Sequence, residues 1–384
     1  MGYASRVSQD HGFPGVVGHA RVTDMLSRAI ERQRLHHGLV FSGPRGIGKA
    51  TLARGLACAL ICDVAPARGC GSCDACRRLL SGRHTDLRRL EGQGKTNTIA
   101  AEPAREVALR SQHAPFEARA HLIIIDPADR MHPRAAAALL KSIEEPSAGV
   151  YWTLIGANRS DILDTILSRC MTIPLEGLSL ADTRAVVLAE LARDSAGDPI
   201  DDARRELAIS LADGSPGVAL ELLRDPSLEP TRELLAATLR ALELGPPAVF
   251  SGERSPLWSA WNTAVLATAD PSAAPDDGDD DEDEVVVVKS KRKPKKAKKS
   301  KKSKSDSKAS PGRQRAMAGR LAELWLLHLR ELLLGREGLH GMPRLHTDSA
   351  TASHMQSIQQ FQTNLARNPN VRLNFEQLLL SLGG

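Results

Sequence analysis

The chain has 384 residues, 42% of them hydrophobic and 25% charged, with a net charge of +5. That length is past the point where one hydrophobic core keeps growing, and it asks for two or three packed domains. No run approaches the roughly 18–20 apolar residues of a membrane-spanning helix. The opening residues carry no basic-then-apolar leader, and six cysteines in a chain of this length are few for a disulfide scaffold. The expectation is a soluble, cytoplasmic, multidomain protein without a membrane partner. Residues 276–308 hold +3 of the +5 charge, so the global balance is no footprint for nucleic acid.

The first 170 residues alternate strand and helix signals. The helical stretch Val22–Arg34 precedes a short apolar run, Leu39–Ser42, that stops at Gly43. A helix over Ala50–Ile61 follows, then the β-branched run His121–Ile125 ending at Asp126, a helix over Pro133–Ile143, and a further run, Tyr151–Ile155. Short, almost wholly apolar strands separated by helices predict a parallel sheet covered on both faces, an α/β architecture. After Ile173-Pro174 only helical signals remain. Ser179 caps a helix over Asp182–Asp194, and Asp201–Ala212 and Val218–Leu223 add two more. Farther on, Met317, Leu321, Leu324, Trp325, Leu329 and Leu332 share one helix face. Met355, Ile358, Phe361 and Leu365 repeat that pattern, and Phe375–Leu382 closes it. Between Ala269 and Gly312 an acidic run, four valines and a Lys/Ser run cannot bury enough apolar surface to offset ordering entropy. The sequence predicts a disordered insertion there. The lysines could hold nucleic acid through phosphate neutralisation, but no interleaved aromatics offer a stacking platform, and a solvated loop is the plainer reading.

Gly43-Pro44-Arg45-Gly46-Ile47-Gly48-Lys49 lies between a strand and a helix, the setting of a phosphate-binding loop. Glycines let successive N–H groups curl round phosphate, the helix N-terminus adds its dipole, and Lys49 reaches the β and γ phosphates. The next position calls for a Ser or Thr hydroxyl to hold Mg²⁺, and it is Ala50; Thr51 lies about 100° further round the helix. Asp126, at the end of its strand, is placed for the Mg²⁺ shell, although an acidic residue there can also cap a turn. Cys62, Cys70, Cys73 and Cys76 form a C-x7-C-x2-C-x2-C cluster with Gly69 and Gly71 in the knuckle. Four thiolates suit a closed, structural tetrahedral Zn²⁺ site; an iron–sulfur cluster uses the same ligands, and redox or disulfide roles are the other readings. Cys58, four residues earlier, is either a competing ligand or a buried free thiol.

The phosphate loop, the cysteine module directly after its helix and Ser168-Arg169-Cys170 together resemble the AAA+ subunits of the bacterial DNA polymerase III clamp loader. Phe13–His19 (FPGVVGH), Leu139–Pro146 (LLKSIEEP) and Arg367–Leu379 (RNPNVRLNFEQLL) are further matches. The resemblance implies an AAA+ parallel-sheet domain over 1–175 with a zinc module at about 62–76. A helical lid over 176–228 and an all-α collar over 229–384, with the charged insertion at about 269–312, would follow. It implies partnership with gamma/tau-type and delta-type subunits, a sliding clamp and primer-template DNA. Hydrolysing members carry a Glu after the strand-end Asp, a polar sensor where this chain has Gly156, and a sensing Arg where it has Gly217. Here the Glu is replaced by Pro127, which cannot act as base. The resemblance therefore points to the non-hydrolysing delta-prime type, with ATP/Mg²⁺ binding weak or vestigial; an ATP-hydrolysing gamma/tau-type subunit is the alternative. It also implies that Arg169 reaches across a subunit boundary to a neighbour's γ-phosphate, where an isolated Arg would merely pair with a surface carboxylate.

Overall fold

A computed structural model of the chain describes residues 12–94, 97–193, 200–244, 255–268, 310–333, 350–365 and 370–382. The acidic and Lys-rich tract at 276–308 and the Asn368-Pro369 turn fall outside the described residues. The chain divides into two compact units, Met1–Arg224 and Asp225–Gly384.

The first unit is an α/β layer structure. Helix α1 (Ala20–Glu31) leads to β1 (Gly38–Ser42), α2 (Lys49–Ile61), α3 (Asp74–Leu80), β2 (Leu87–Glu91) and α4 (Ala101–Arg110). Then come β3 (His121–Asp126), α5 (Pro133–Glu144), β4 (Val150–Gly156), the single turn α6 (Asp164–Leu167) and β5 (Met171–Pro174). The five strands form one parallel sheet in the order β2-β3-β4-β1-β5. Alternate residues serve opposite cores, as a period of two requires. Leu39, Phe41, Leu122, Ile124 and Ile155 pack with Leu52 and Leu56 of α2. Val40, Ile123, Ile125, Trp152 and Leu154 pack with Ala104 of α4 and with Ala135 and Leu139 of α5.

The apolar runs at 39–42, 121–125 and 151–155 are strands β1, β3 and β4, one to two residues longer than read. Strand β2 carries no such run, because Leu87-Arg88-Arg89-Leu90-Glu91 lies at the sheet edge and exposes three of its five residues. Its pairing with β3, Leu90 beside Ile125, makes it a strand despite its charge.

Three more helices complete the first unit: α7 (Leu180–Arg193), α8 (Asp202–Leu211) and α9 (Pro216–Arg224). Ser179 Oγ accepts the Asp182 N–H at 3.1 Å, the cap expected from sequence. The second unit is helical throughout its described residues: α10 (Leu228–Leu244), α11 (Pro256–Ala267), α12 (Pro311–Leu333), α13 (Ala350–Leu365) and α14 (Val371–Leu382). All six apolar residues read as one face of α12 are buried. The ring of Trp261 stacks on Phe375 at 4.8 Å between centroids, and the Arg372 guanidinium sits 4.2 Å over Trp258. Among the described residues no helix is long and apolar enough to cross a membrane.

Candidate nucleotide, metal and arginine sites

The phosphate loop leaves the C-terminal edge of the sheet, between β1 and α2. Gly46 has φ +79°, and a Cβ there would lie 2.9 Å from Val218 N, so the loop is closed by the first turn of α9. The Gly217 N–H donates to Gly46 O at 2.9 Å. Gly43 (φ +152°) passes so near Leu175 O that a Cβ would stand 2.2 Å from it, and Gly48 (φ +97°) opens α2 with its first N–H groups free of any side-chain cap. The Lys49 ammonium is buried and donates to Gly43 O and Pro44 O, both at 2.6 Å. Burial pulls its pKa down, and Asp126 opposes that pull. Burial likewise raises the Asp126 carboxyl, with Lys49 opposing. The two groups thus act on each other's charge, as the motif requires.

The residues suit phosphate better than magnesium. Ala50 offers no ligand atom, and the Thr51 methyl lies 3.7 Å from a Cβ built on Gly15, beside the 13–16 segment. Pro127 follows Asp126 through a cis peptide and has no group to polarise water. Gly217 has no room for a side chain, since its Cβ would stand 2.9 Å from the Cα of Gly46. At Gly156 a Cβ would meet Ile162 Cδ1 at 2.8 Å, while Ala157 N donates to Asp129 Oδ2 at 2.6 Å and closes that strand end.

The four cysteines converge. The thiols of Cys62, Cys70, Cys73 and Cys76 lie within 4.8 Å of one another, with Cys62–Cys73 and Cys70–Cys76 both at 3.9 Å. Sulfurs at 2.3 Å from a tetrahedral zinc would be about 3.8 Å apart, so the donor set fits that ion. Backbone N–H groups of Ala65, Cys73 and Cys76 point at Cys62, Cys70 and Cys73 sulfurs at 3.2–3.5 Å, which favours thiolate. The N–H of Cys73 and the groups of Ser72 pull Cys70 down to about 6, whereas burial pushes Cys76 up. Cys58 lies outside the set; it is buried, its thiol is raised to about 12 by burial, and it contacts Cys76 O at 3.8 Å.

The module is latched to the sheet by residues that the sequence reading did not single out. Asp86, 2% exposed, accepts the N–H groups of Phe116, Glu117 and Ala118 at 2.5, 3.0 and 2.9 Å. Glu117 takes both ends of the Arg78 guanidinium, at 2.7 and 3.1 Å, and Arg78 belongs to α3 of the module. Arg119 donates to Leu60 O and Cys62 O at 2.9 and 2.7 Å. His84, Asp86 and Glu117 stand close enough for a metal, but these partners already occupy both carboxylates. No local pattern around Asp86 points to this cluster, because its partners lie about thirty residues further along the chain.

Arg169 sits at the opposite, N-terminal end of the strands. It precedes Met171, whose register partner is Leu39 at the start of β1, while Gly43 follows the last residue of β1. A strand of this length separates the two by about 15 Å. The Arg169 Nε donates to Glu144 Oε2 at 2.8 Å, and Nη1 donates to Thr165 O at 3.0 Å and Ser168 Oγ at 3.3 Å. The pairing with an exposed carboxylate is what the plainer reading of this arginine expects.

A protein-family profile described as "DNA polymerase III, delta subunit" matches residues 18–179. The delta′ subunit of DNA polymerase III from Pseudomonas aeruginosa is 35% identical over 234 residues, 60% of this chain and 67% of that protein. This chain belongs to the DNA polymerase III delta′ and gamma/tau subunit family. The tau subunit of Salmonella typhimurium is also 35% identical, over 173 residues, 45% of this chain and 26% of that protein. The chain thus spans about a quarter of the tau relative's length. Among solved structures, a DNA polymerase III gamma subunit-related protein from Thermotoga maritima aligns with 94% of this chain and 98% of its own, at TM-score 0.43 and 13% identity. In this member of the family a parallel-sheet α/β domain is followed by a helical C-terminal part.

Proposed function

We propose that the chain is a delta-prime-type subunit of the DNA polymerase III clamp loader. It takes part in ATP-dependent loading of a sliding clamp onto primed DNA and supplies Arg169 in trans to a neighbouring ATPase subunit. The observation that carries this reading is the sheet itself. Arg169 and the chain's own phosphate loop lie at opposite ends of the strands, which supports a guanidinium that serves another chain's nucleotide rather than its own. A cation there offsets charge developing on the transferred phosphoryl group, an effect worth about 10³–10⁵ in rate. Residues 176–228 act as the lid and 229–384 as the collar that packs with sister subunits. The cysteine module holds one structural zinc, with Cys62, Cys70, Cys73 and Cys76 as ligands. Ala50, Pro127 and Gly217 support a nucleotide site (Gly43, Gly46, Gly48, Lys49, Thr51, Asp126) that holds phosphate without breaking it.

The test is steady-state ATP hydrolysis. The purified chain turns over no ATP above background, and the assembly with gamma/tau-type and delta-type subunits does. Arg169→Ala lowers the assembly's rate by about 10³-fold or more. A second reading, an ATP-hydrolysing gamma/tau-type subunit, draws on the intact Lys49 and on the tau relative; sustained turnover by the chain alone establishes it and overturns the first.

A further inference from the structure

Helix α5 runs antiparallel to the strands, from Pro133 beside the end of β3 to Glu144 beside Arg169, a rod of twelve residues and about 18 Å. One side of the rod is anchored: Ala135, Ala136, Leu139, Ser142 and Ile143 are all buried. Its last residue is therefore held by packing along the whole helix, even though the Glu144 side chain is half exposed. The short turn that carries Arg169 contributes the remaining contacts, Thr165 O and Ser168 Oγ. A guanidinium has five N–H donors in a rigid plane. Here Glu144 takes Nε and the turn takes Nη1, so the Nη2 edge remains for an anion outside the chain.

We propose that Glu144 is the positioning residue of Arg169: its carboxylate fixes the guanidinium plane so that Nη2 is presented, preformed, to the neighbouring phosphate. The inference rests on the in-trans role of Arg169. A long arginine side chain left free samples many rotamers, and its ordering entropy would fall on the transition state. Anchoring at Nε removes that cost before the neighbour's ATP arrives, which is how a positioning group acts on rate rather than on substrate affinity. The carboxylate lies in the guanidinium plane on the Nε edge, beside Nη2, and leaves the outer N–H of Nη2 for the phosphate; a guanidinium stays protonated, so the cation needed there is kept.

The experiment is ATP turnover by the full assembly containing wild-type chain, Glu144→Ala, Glu144→Gln or Arg169→Ala, with kcat and KM separated. Glu144→Ala lowers kcat by about tenfold to a hundredfold with KM for ATP little changed. Glu144→Gln, whose amide oxygen still accepts from Nε, recovers most of the loss. Co-elution of each variant with the partner subunits keeps a failed assembly from counting as a result. Unchanged kcat in Glu144→Ala, beside a collapsed rate in Arg169→Ala, overturns the positioning role alone. A Glu144→Gln rate as low as that of Ala also overturns it, because charge and not placement would then matter. An Arg169→Ala assembly as fast as wild type sinks the in-trans role and this inference with it.

Discussion

Asp86 is where a single substitution tests how the cysteine module is held. It is 2% exposed and takes three backbone N–H groups from one short segment, residues 116–118. Asp86→Ala orphans all three. Hydrogen bonds to a charged group contribute about 1.5–3 kcal/mol each; Ala118 counts at the low end, while Phe116 and Glu117 lie at the surface, regain water and count for about half of that, so the sum is about 3 kcal/mol. For a unit of some 200 residues that lowers Tm by about 6–12 °C. The same segment carries Glu117 and Arg119, which hold Arg78 and the Leu60 and Cys62 carbonyls. Metal should therefore leave the variant faster than the wild type. Differential scanning calorimetry and a chromogenic chelator read the two effects on one preparation. A Tm shift under about 2 °C with unaltered metal release refutes the assignment of Asp86 as the latch.

If the cysteine module holds zinc as proposed, atomic emission on the purified chain should find one per molecule and Cys73→Ser should lose it while the sheet's far-UV signal stays; a metal-free wild type with four reactive thiols counts against the site. Glu117 is held down to about 2 by Arg78 and Thr85. A depressed acid contributes stability above its unfolded value near 4.5 and loses it as pH falls toward 2, so proteolysis within residues 62–80 should rise over that window and not between pH 6 and 8. Ala50→Thr with Pro127→Glu does not confer turnover on the isolated chain, because Gly217 still closes on Gly46. Measurable steady hydrolysis by that double variant contradicts this.

The phosphate loop, the four cysteines and three of five strands were legible because each is a local pattern. Gly43 to Lys49 spells its own geometry, and an apolar run such as Leu122–Ile125 says strand without help. What stayed hidden depends on pairing. β2 is a strand only because β3 lies beside it, and Asp86 is a latch only because residues 116–118, thirty positions later, fold back onto it. Arg169 was legible as part of a motif, yet its contact with Glu144 spans 25 residues that no periodicity links. The lid contact was hidden for the same reason: nothing local in Gly217 names Gly46 as its neighbour.

That lid contact also bears on why the two ends of the sheet differ. Gly46 and Gly217 touch backbone to backbone, with a Cβ at either one meeting the other segment at 2.9 Å. A sensing side chain at 217 would have to push α9 off the loop, so the geometry that closes the loop excludes the group that would report on its γ-phosphate. Across the sheet nothing comparable among the described residues covers Arg169: its Nε and Nη1 are engaged while the side chain keeps 31% of its surface. On the proposed in-trans role, a chain with its phosphate loop closed by α9 and its arginine braced by Glu144 would act on a neighbour's nucleotide whatever happens at its own. Loss of Lys49, which among the described residues donates to carbonyls of its own loop, should accordingly leave the assembly's ATP turnover intact, where loss of Arg169 should collapse it.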